Sequence, residues 1–182
     1  FHEDAFLQVH EAHQPPTSVR INLAKWNMQH APFELVCKVP WSATGFYLKD
    51  RPTFSLHPWW HAGAYYVQEA SSMAIEWVFE QHMPFAKNDR LKVLDLCAAP
   101  GGKSTHILSM LRDTDVLVSN EVIGSRVNVL LENITRWGAA NCIVTNNDPA
   151  DFSKAENVFD AMVIDAPCSG SGLFRRDPDA IS

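Results

Sequence analysis

One stretch, LKVLDLCAAPGGKST at residues 91–105, constrains the fold of this chain more than any other. Its first residues predict a short buried strand, a small glycine-rich turn follows, and Lys103 begins a helical pattern. Glycines let a ligand approach the backbone closely, and the first turn of a helix presents N–H groups that have no intrahelical partner. Because open α/β sheets bind ligands beyond the carboxyl ends of their strands, we expect Asp95 to reach a polar ligand there.

Three interpretations fit this strand–turn–helix pattern. A Walker A loop, G-x-x-x-x-G-K-[ST], would make the chain a P-loop-like nucleotide triphosphatase, but Cys97 stands where the first glycine belongs. The second interpretation is the nucleoside-binding turn of S-adenosylmethionine-dependent methyltransferases. The third is an α/β turn that binds no ligand, since short glycine motifs often match by chance.

Composition places the chain among ordinary globular proteins. Its 182 residues suffice for one domain with a small appendage, and 46% of them are hydrophobic and 20% charged. The apolar runs are too short to span a membrane, so we expect a cytoplasmic protein without a membrane partner. A net charge of -6 does not favour nucleic-acid binding, although a local basic stripe would be enough for it.

The sequence predicts neither a disulfide framework nor a metal site. The four cysteines lie far apart and none forms a C-x-x-C pair: Cys37, Cys97, Cys142 and Cys168. His57 and His61 are four residues apart, but Pro58 disfavours a helix through them and no carboxylate or thiol completes a set of ligands. We therefore expect these two histidines to be solvated or hydrogen-bonded.

Residues 1–65 are predicted to form a small α+β appendage. We expect a helix over residues 1–12 and strands over residues 18–23, 33–39 and 45–48. Residues 65–80 carry a broad apolar surface at helical spacing and are predicted to form a helix. A polar cluster early in this segment is interpreted as the ordinary polarity of a helix N-terminus: Gln68, Glu69, Ser71 and Ser72.

Three further strands alternate with helical segments after residue 115. They are predicted over residues 116–119, 142–145 and 161–164, and a helix over residues 126–137 is expected to end at Gly138. Acidic residues lie at or just after the strand ends: Asp95, Glu121, Asp148 and Asp165. Any one of them alone could be a turn former, but the repetition predicts a doubly wound sheet with a ligand along its carboxyl edge.

Cys168 follows the last of these strands within a loop of glycine and serine. Backbone N–H groups there would lower the pKa of the thiol, although a small buried residue in a tight turn explains the cysteine equally well. Asp165, three residues earlier, can hydrogen-bond a protonated ring nitrogen of a base. This pairing suits chemistry in which a thiolate adds to a pyrimidine while an acid steadies the developing charge.

Two long motifs resemble signatures of the Nol/Nop/Sun family of RNA cytosine methyltransferases. They are DLCAAPGGKS at residues 95–104 and DAPCSGSGLFRRDPD at residues 165–179. HAGAYYVQEASSM at residues 61–73 resembles the segment that precedes the first motif in that family, and PPTSVRINLAK at residues 15–25 is similar to the family's N-terminal appendage. The whole chain takes part in the resemblance, which is strongest to bacterial enzymes that methylate carbon 5 of a cytosine in small-subunit ribosomal RNA.

The resemblance implies a fold and a set of site residues. Residues 66–182 would form the N-terminal, cofactor-binding half of a Rossmann-like methyltransferase domain, with an incomplete sheet of about four strands. Glu121 would hold the ribose hydroxyls of S-adenosylmethionine, Asp148 would lie near the adenine, and Asp165 would lie between cofactor and cytosine. Cys168 matches the cysteine that helps to release the methylated product. The methionine and ribose part would be wrapped by Cys97, Ala98, Ala99, Pro100, Gly101, Gly102 and Lys103.

The nucleophile of the family is a second cysteine in a later Thr-Cys-Ser motif, which this sequence lacks. We expect that cysteine beyond Ser182, and therefore a fragment that binds cofactor without turning over. For the full enzyme we expect an RNA partner, in the first place ribosomal RNA. A different substrate such as transfer RNA is the nearest alternative. A non-catalytic RNA-binding module would instead show salt-dependent RNA affinity without affinity for the cofactor.

Overall fold

The computed structural model describes residues 16–26, 32–83 and 90–166, and these residues contain two four-stranded sheets. The helix expected over residues 1–12, as well as Cys168 and Ser182, lie outside the described residues. The nucleophilic cysteine expected beyond Ser182 therefore stays a prediction. Within the described ranges, no helix has the length and apolar character needed to cross a lipid bilayer.

The first sheet is antiparallel and has the strand order β2-β3-β1-β4. Its strands are β1 Ser18–Ile21, β2 Leu35–Lys38, β3 Gly45–Leu48 and β4 Tyr65–Val67. The first three confirm the predicted strands, two of them with slightly shorter bounds. A 3₁₀ turn at Phe54–Leu56 and the short helix α1 Pro58–His61 connect β3 to β4. Buried aromatic and aliphatic side chains from β1, β3 and β4 form its core, among them Val19, Phe46 and Tyr65.

The helix predicted over residues 65–80 is wrong in its first half. Tyr65–Val67 is strand β4, Ala70–Ala74 is a 3₁₀ turn, and only Ile75–His82 is an α-helix, α2. The reason is non-local, because Arg20 and Val19 of β1 pair with Tyr66 and Val67. The predicted division at residue 65 stays a prediction, and β4 runs across it as part of the first sheet.

The second sheet is parallel, has the order β7-β6-β5-β8, and confirms the predicted α/β fold class. Its strands are β5 Lys92–Asp95, β6 Val116–Asn120, β7 Cys142–Thr145 and β8 Ala161–Val163. Helix α3 Gly102–Met110 connects β5 to β6, helix α4 Gly124–Trp137 connects β6 to β7, and a 3₁₀ segment Pro149–Lys154 precedes β8.

The local sequence explains these elements. Val93 and Leu94 are both fully buried, as expected for a parallel strand that is covered on both faces. Helix α4 ends where predicted, since Gly138 adopts φ +86°, a left-handed conformation that closes a helix at little cost. Asp115 accepts hydrogen bonds from the backbone N–H groups of Leu91 (3.0 Å) and Arg112 (2.9 Å), which fixes the amino edge of β5 and β6.

A buried polar cluster joins the loop between β2 and β3 to helices α2 and α3. The carboxylate of Glu76 accepts hydrogen bonds from Ser42 Oγ, the Ala43 N–H (3.0 Å) and His106 Nε2 (2.9 Å). These bonds lower the pKa of Glu76 to about 2 in spite of its burial. Burial lowers the pKa of His106 to about 4, so the imidazole is neutral and donates its Nε2 proton to an ionised carboxylate.

His57 and His61 each have a hydrogen-bond partner within the described ranges. His61 Nε2 lies 2.8 Å from the Ser55 carbonyl oxygen, and His57 Nδ1 lies 3.2 Å from the Tyr65 hydroxyl. No cluster of three or more histidine, cysteine or acidic side chains that could hold a metal ion occurs among residues 16–26, 32–83 and 90–166.

Candidate cofactor-binding site

A cleft of about 250 Å³ opens at the carboxyl edge of the parallel sheet. It lies where β5 has β6 on one side and β8 on the other, the point at which the strand order reverses and where doubly wound sheets bind their ligands. The turn after β5 forms one wall, and the end of β4 with the following residues forms the other. The lining residues are Tyr66, Val67, Gln68, Glu69, Ser72, Cys97, Ala98, Ala99, Pro100, Gly102, Lys103 and Asp165.

The turn from Cys97 to Gly101 is held rigidly by its neighbours. The Ala98 N–H donates to the Asn120 carbonyl (2.8 Å), and Asn133 Nδ2 donates to the Pro100 carbonyl (2.7 Å). Gly101 adopts φ +105°, which an L side chain rarely adopts. The cradle is therefore formed before any ligand arrives.

Helix α3 points its first turn toward this cleft. Its N-cap is Gly101, and no side chain of the described residues caps this helix start with a hydrogen bond. The N–H groups of a first helical turn have no intrahelical acceptor and carry the positive end of the helix dipole. They are available to an acceptor-rich ligand, as the sequence predicted for this segment.

Glu121, which follows β6, lies against the same turn, and its predicted role in binding ribose hydroxyls stays a prediction. Its side chain is only 2% exposed, and its Oε2 accepts a 3.3 Å hydrogen bond from the Ala99 N–H. Oε1 accepts from the Ile123 N–H at 2.9 Å, and Arg126 Nη1 lies 3.4 Å from Oε2. An ionised carboxylate has about four acceptor sites, so Glu121 keeps acceptor capacity for hydroxyl groups of a ligand.

Asp95 differs from the expectation that it reaches a ligand in the cleft. It is completely buried beneath the turn, where its Oδ2 accepts a 2.7 Å hydrogen bond from Ser104 Oγ. Burial raises the pKa of Asp95 to about 6, although the bond from Ser104 and the charge of Lys103 oppose the rise. Asp95 thus supports the start of α3 from below rather than lining the cleft.

Lys103 and Asp165 close the cleft on the side of β8. Their Nζ and Oδ2 atoms are 2.6 Å apart, with side chains 26% and 61% exposed. This pair joins the start of α3 to the residue that follows β8. The structure therefore brings Asp165 beside the turn, and its predicted place between cofactor and cytosine stays a prediction.

The remaining predicted residues have different surroundings. Burial and the nearby carboxylates Glu121, Asp95 and Asp165 raise the pKa of the Cys97 thiol, which makes it a poor nucleophile. Asp148 is exposed and its Oδ1 accepts from the Ala150 N–H (2.8 Å), so it caps the 3₁₀ segment and does not line the cleft. Its role in binding stays a prediction, as does the role of Cys168.

The polar cluster of residues 68–72 is the part of the site that sequence reasoning missed. Gln68, Glu69 and Ser72 line the cleft because β4 leads the chain past the glycine turn. Gln68 is 7% exposed, and its Oε1 accepts a 2.9 Å hydrogen bond from Arg20 Nε. Its Nε2 is buried without a partner among the described residues, which leaves a donor in the wall of the cleft unsatisfied.

Comparisons with known proteins agree with this geometry. The family model described as 16S rRNA methyltransferase RsmB/F matches residues 83–181, and that of the N-terminal domain of 16S rRNA methyltransferase RsmF matches residues 2–70. A crystal structure of a methyltransferase homolog protein from Pyrococcus horikoshii superposes with a TM-score of 0.75 at 28% identity, over 95% of this chain and 57% of that one.

Two curated relatives carry the name ribosomal RNA small subunit methyltransferase F. The Shewanella piezotolerans protein is 40% identical over 79% of this chain and 30% of its own length. The Enterobacter sp. protein is 36% identical over 90% of this chain and 36% of its own length, so the chain spans about a third of these relatives. The resemblance found in the sequence is thereby confirmed, and the chain belongs to the 16S rRNA methyltransferase RsmB/F family.

Proposed function

We propose that this chain carries the cofactor-binding part of an enzyme that methylates carbon 5 of a cytosine in small-subunit ribosomal RNA. The observation that carries the proposal is the preformed cradle at the switch point of the parallel sheet. There the turn after β5 and the start of α3 line one cleft, and the buried carboxylate of Glu121 contacts that turn at the Ala99 N–H. The names of the family model and of the curated relatives support the methyl-transfer reaction and the RNA substrate.

The residues of the cleft fit S-adenosylmethionine as the cofactor. We assign Cys97 to Lys103 to its methionine and ribose part, Glu121 to the ribose hydroxyls and Asp148 to the adenine. Gln68 Nε2, which has no partner among the described residues, and the N–H groups at the start of α3 are donors, and the ligand is rich in acceptors. The carboxylate of Glu121 is an acceptor, which the ribose hydroxyls require.

When it is bound, S-adenosylmethionine supplies an electrophilic methyl group. Asp165 is assigned to the catalytic step, where it would hydrogen-bond the ring of the cytosine and steady the charge that develops when a thiolate adds at carbon 6. Lys103, 2.6 Å away, holds the Asp165 carboxylate at the cleft. Cys168 is assigned to the release of the methylated base. A cytosine can reach these groups only after it has left its stack in the RNA.

Calorimetric titration of the chain with S-adenosylmethionine, and in parallel with Mg-ATP, tests the cofactor assignment. We expect the first ligand to bind and the second not to bind. Glu121→Gln should weaken binding roughly tenfold, because the carboxylate forms stronger hydrogen bonds to hydroxyls than an amide does. Glu132→Gln is the matched control on the exposed side of α4, where Glu132 pairs with Arg136, and it should bind as the wild type does. Binding of Mg-ATP alone would refute the assignment.

The RNA substrate is tested by competition between small-subunit ribosomal RNA and transfer RNA for the cofactor-loaded chain. We expect ribosomal RNA to compete better at two or more salt concentrations, since affinities for RNA compared at a single salt concentration are hard to interpret. Preferential binding of transfer RNA would instead favour a transfer-RNA methyltransferase. Equal, steeply salt-dependent binding of both RNAs without any affinity for the cofactor would indicate a non-catalytic RNA-binding module.

A further inference from the structure

We infer that Arg20, in the first sheet, is a positioning residue that fixes both walls of the cofactor cleft. This inference rests on the proposed function for the identity of the ligand, S-adenosylmethionine. Arg20 lies on β1 and is completely buried, although it does not itself line the cleft. It reaches the two walls through hydrogen bonds to Gln68 on one side and to helix α3 on the other.

The first connection runs to the glycine turn. Arg20 Nη2 donates to Thr105 Oγ1 at 2.6 Å and approaches the Gly102 carbonyl at 3.4 Å. Thr105 Oγ1 in turn donates to the Gly101 carbonyl at 2.8 Å. Gly101 is the left-handed residue that starts α3, so this chain of hydrogen bonds holds the N–H groups that face the ligand.

The second connection sets the orientation of an amide. A guanidinium is only a donor, so the 2.9 Å contact with Arg20 Nε requires that Gln68 present its Oε1 to Arg20. The Nε2 group of Gln68 must then point elsewhere, and it is the buried donor without a partner in the described part of the cleft wall. Without Arg20, nothing among the described contacts of the Gln68 amide would fix which of its ends lies on the Arg20 side.

The energetics indicate that Arg20 is kept for geometry rather than for stability. Its five hydrogen bonds to described residues all go to neutral acceptors, and its guanidinium lies 4.3 Å from the centre of the Trp137 ring. Burial lowers the pKa of Arg20 to about 9, which leaves it charged at neutral pH. A buried cation without a hydrogen-bonded anion is costly, and an apolar side chain of similar volume often stabilises such a place better.

The test compares Arg20→Met with Asn22→Ala as a matched control. Asn22 is also buried near the end of β1, and its Nδ2 donates to the carbonyls of Gly63 (3.1 Å) and Trp137 (3.0 Å), away from the cleft. Asn22→Ala should lose stability, whereas Arg20→Met should lose little or none, and only Arg20→Met should weaken S-adenosylmethionine binding, by roughly 3- to 30-fold when both are fully folded. Thr105→Val removes the Thr105 hydroxyl that links Arg20 to the Gly101 carbonyl and leaves the Arg20–Gln68 hydrogen bond in place. It should weaken S-adenosylmethionine binding less than Arg20→Met does, and it tests the inference if Arg20→Met does not fold.

Hydrogen exchange of the ligand-free chain gives a second readout that a purely structural role would not produce. Arg20→Met should speed exchange selectively at Gly101 and Thr105, whose N–H groups bond to Ala98 and Gly101, and should spare Leu117 in β6. Equal affinities in the Arg20→Met and Asn22→Ala variants, or uniformly faster exchange, would overturn the inference. Failure of the wild type to bind S-adenosylmethionine would refute the proposed function, while the exchange pattern would still decide the role of Arg20.

Discussion

His106 makes the stability of this chain depend on pH in a way that one substitution should reverse. The imidazole is 1% exposed and donates to the ionised Glu76, and burial holds its pKa near 4 instead of 6.5. The unfolded chain therefore binds a proton at His106 at a higher pH than the folded chain does. The folded state must lose stability as the pH falls from 6.5 toward 4.

The magnitude follows from these two pKa values. Between pH 7 and pH 5, His106 removes about 2 kcal/mol of folding free energy. Asp95 acts in the opposite direction. Its pKa in the folded state is raised to about 6, so on acidification the folded chain takes up a proton at Asp95 at a higher pH than the unfolded chain does. This adds about 1 kcal/mol of folding free energy between pH 7 and pH 5. Glu76, with a pKa of about 2, contributes stability that is lost only as the pH falls below about 4.5.

Replacing His106 with Gln removes the titrating group and keeps an N–H donor for Glu76. Urea unfolding of both proteins at pH 7 and pH 5 should show that the change in unfolding free energy on acidification differs by about 2 kcal/mol between them, so that the net loss of the wild type becomes a gain in His106→Gln. Ser42→Ala is the control, because it removes another hydrogen bond from Glu76 without removing a titrating group and should leave the wild-type pH response intact. Parallel pH responses in the wild type and in His106→Gln would refute a neutral buried imidazole.

Three further predictions concern single positions elsewhere in the fold. Gly63→Ala should cost more than about 2 kcal/mol in thermal unfolding, because φ is +69° and a Cβ would lie 1.9 Å from the Arg136 carbonyl oxygen. Gly124→Ala, whose Cβ would meet its nearest atom at 3.7 Å, should be tolerated. Asp115→Asn should destabilise the chain by about 2 kcal/mol in urea unfolding without changing cofactor affinity, since its charge-assisted hydrogen bonds lie at the amino edge, away from the cleft. Asp95→Asn should gain stability relative to the wild type as the pH rises from 4 to 8, because the wild type then carries a buried charge; a constant difference would contradict this.

The parallel sheet could be predicted from the sequence because its signals are local. Strands buried on both faces form short apolar runs. β7 confirms the predicted bounds, β6 and β8 differ from them by one residue at one end, and β5 lies at the start of the stretch 91–105 as predicted. The end of α4 was equally local, since Gly138 alone supplies the left-handed residue. The placement of Glu121 and Asp165 beside the glycine turn follows from the parallel arrangement, which brings the carboxyl ends of all four strands to one edge.

Residues 65–80 show where such local reasoning fails. The apolar spacing of Tyr66, Ala70 and Met73 fits a helix, yet Tyr66 pairs with Arg20, which lies 46 positions earlier in the chain. Three residues cannot carry a clear alternation, so a short strand is decided by its partner and not by its own pattern. The error in the secondary structure also hid the second wall of the cleft, because Gln68 and Glu69 reach the cleft only when β4 is extended.

Asp95 and Gln68 show that the role of a polar residue near a predicted site can be assigned only once its hydrogen-bond partners are known. Asp95 lies at the end of its strand like Glu121, but its partner is Ser104 in the layer beneath the turn, whereas Glu121 contacts the turn itself at Ala99. In the sequence, Gln68 fits the usual polarity of a helix N-terminus. In the structure, the hydrogen bond from Arg20 to its Oε1 fixes the amide orientation, and its Nε2 is a buried donor without a partner among the described residues. An unsatisfied buried donor is costly unless a ligand accepts from it. Asp95 Oδ1 is also buried without a partner among the described residues, but Gln68 lines the cleft and Asp95 does not, so position and hydrogen bonding together identify Gln68 as part of the site.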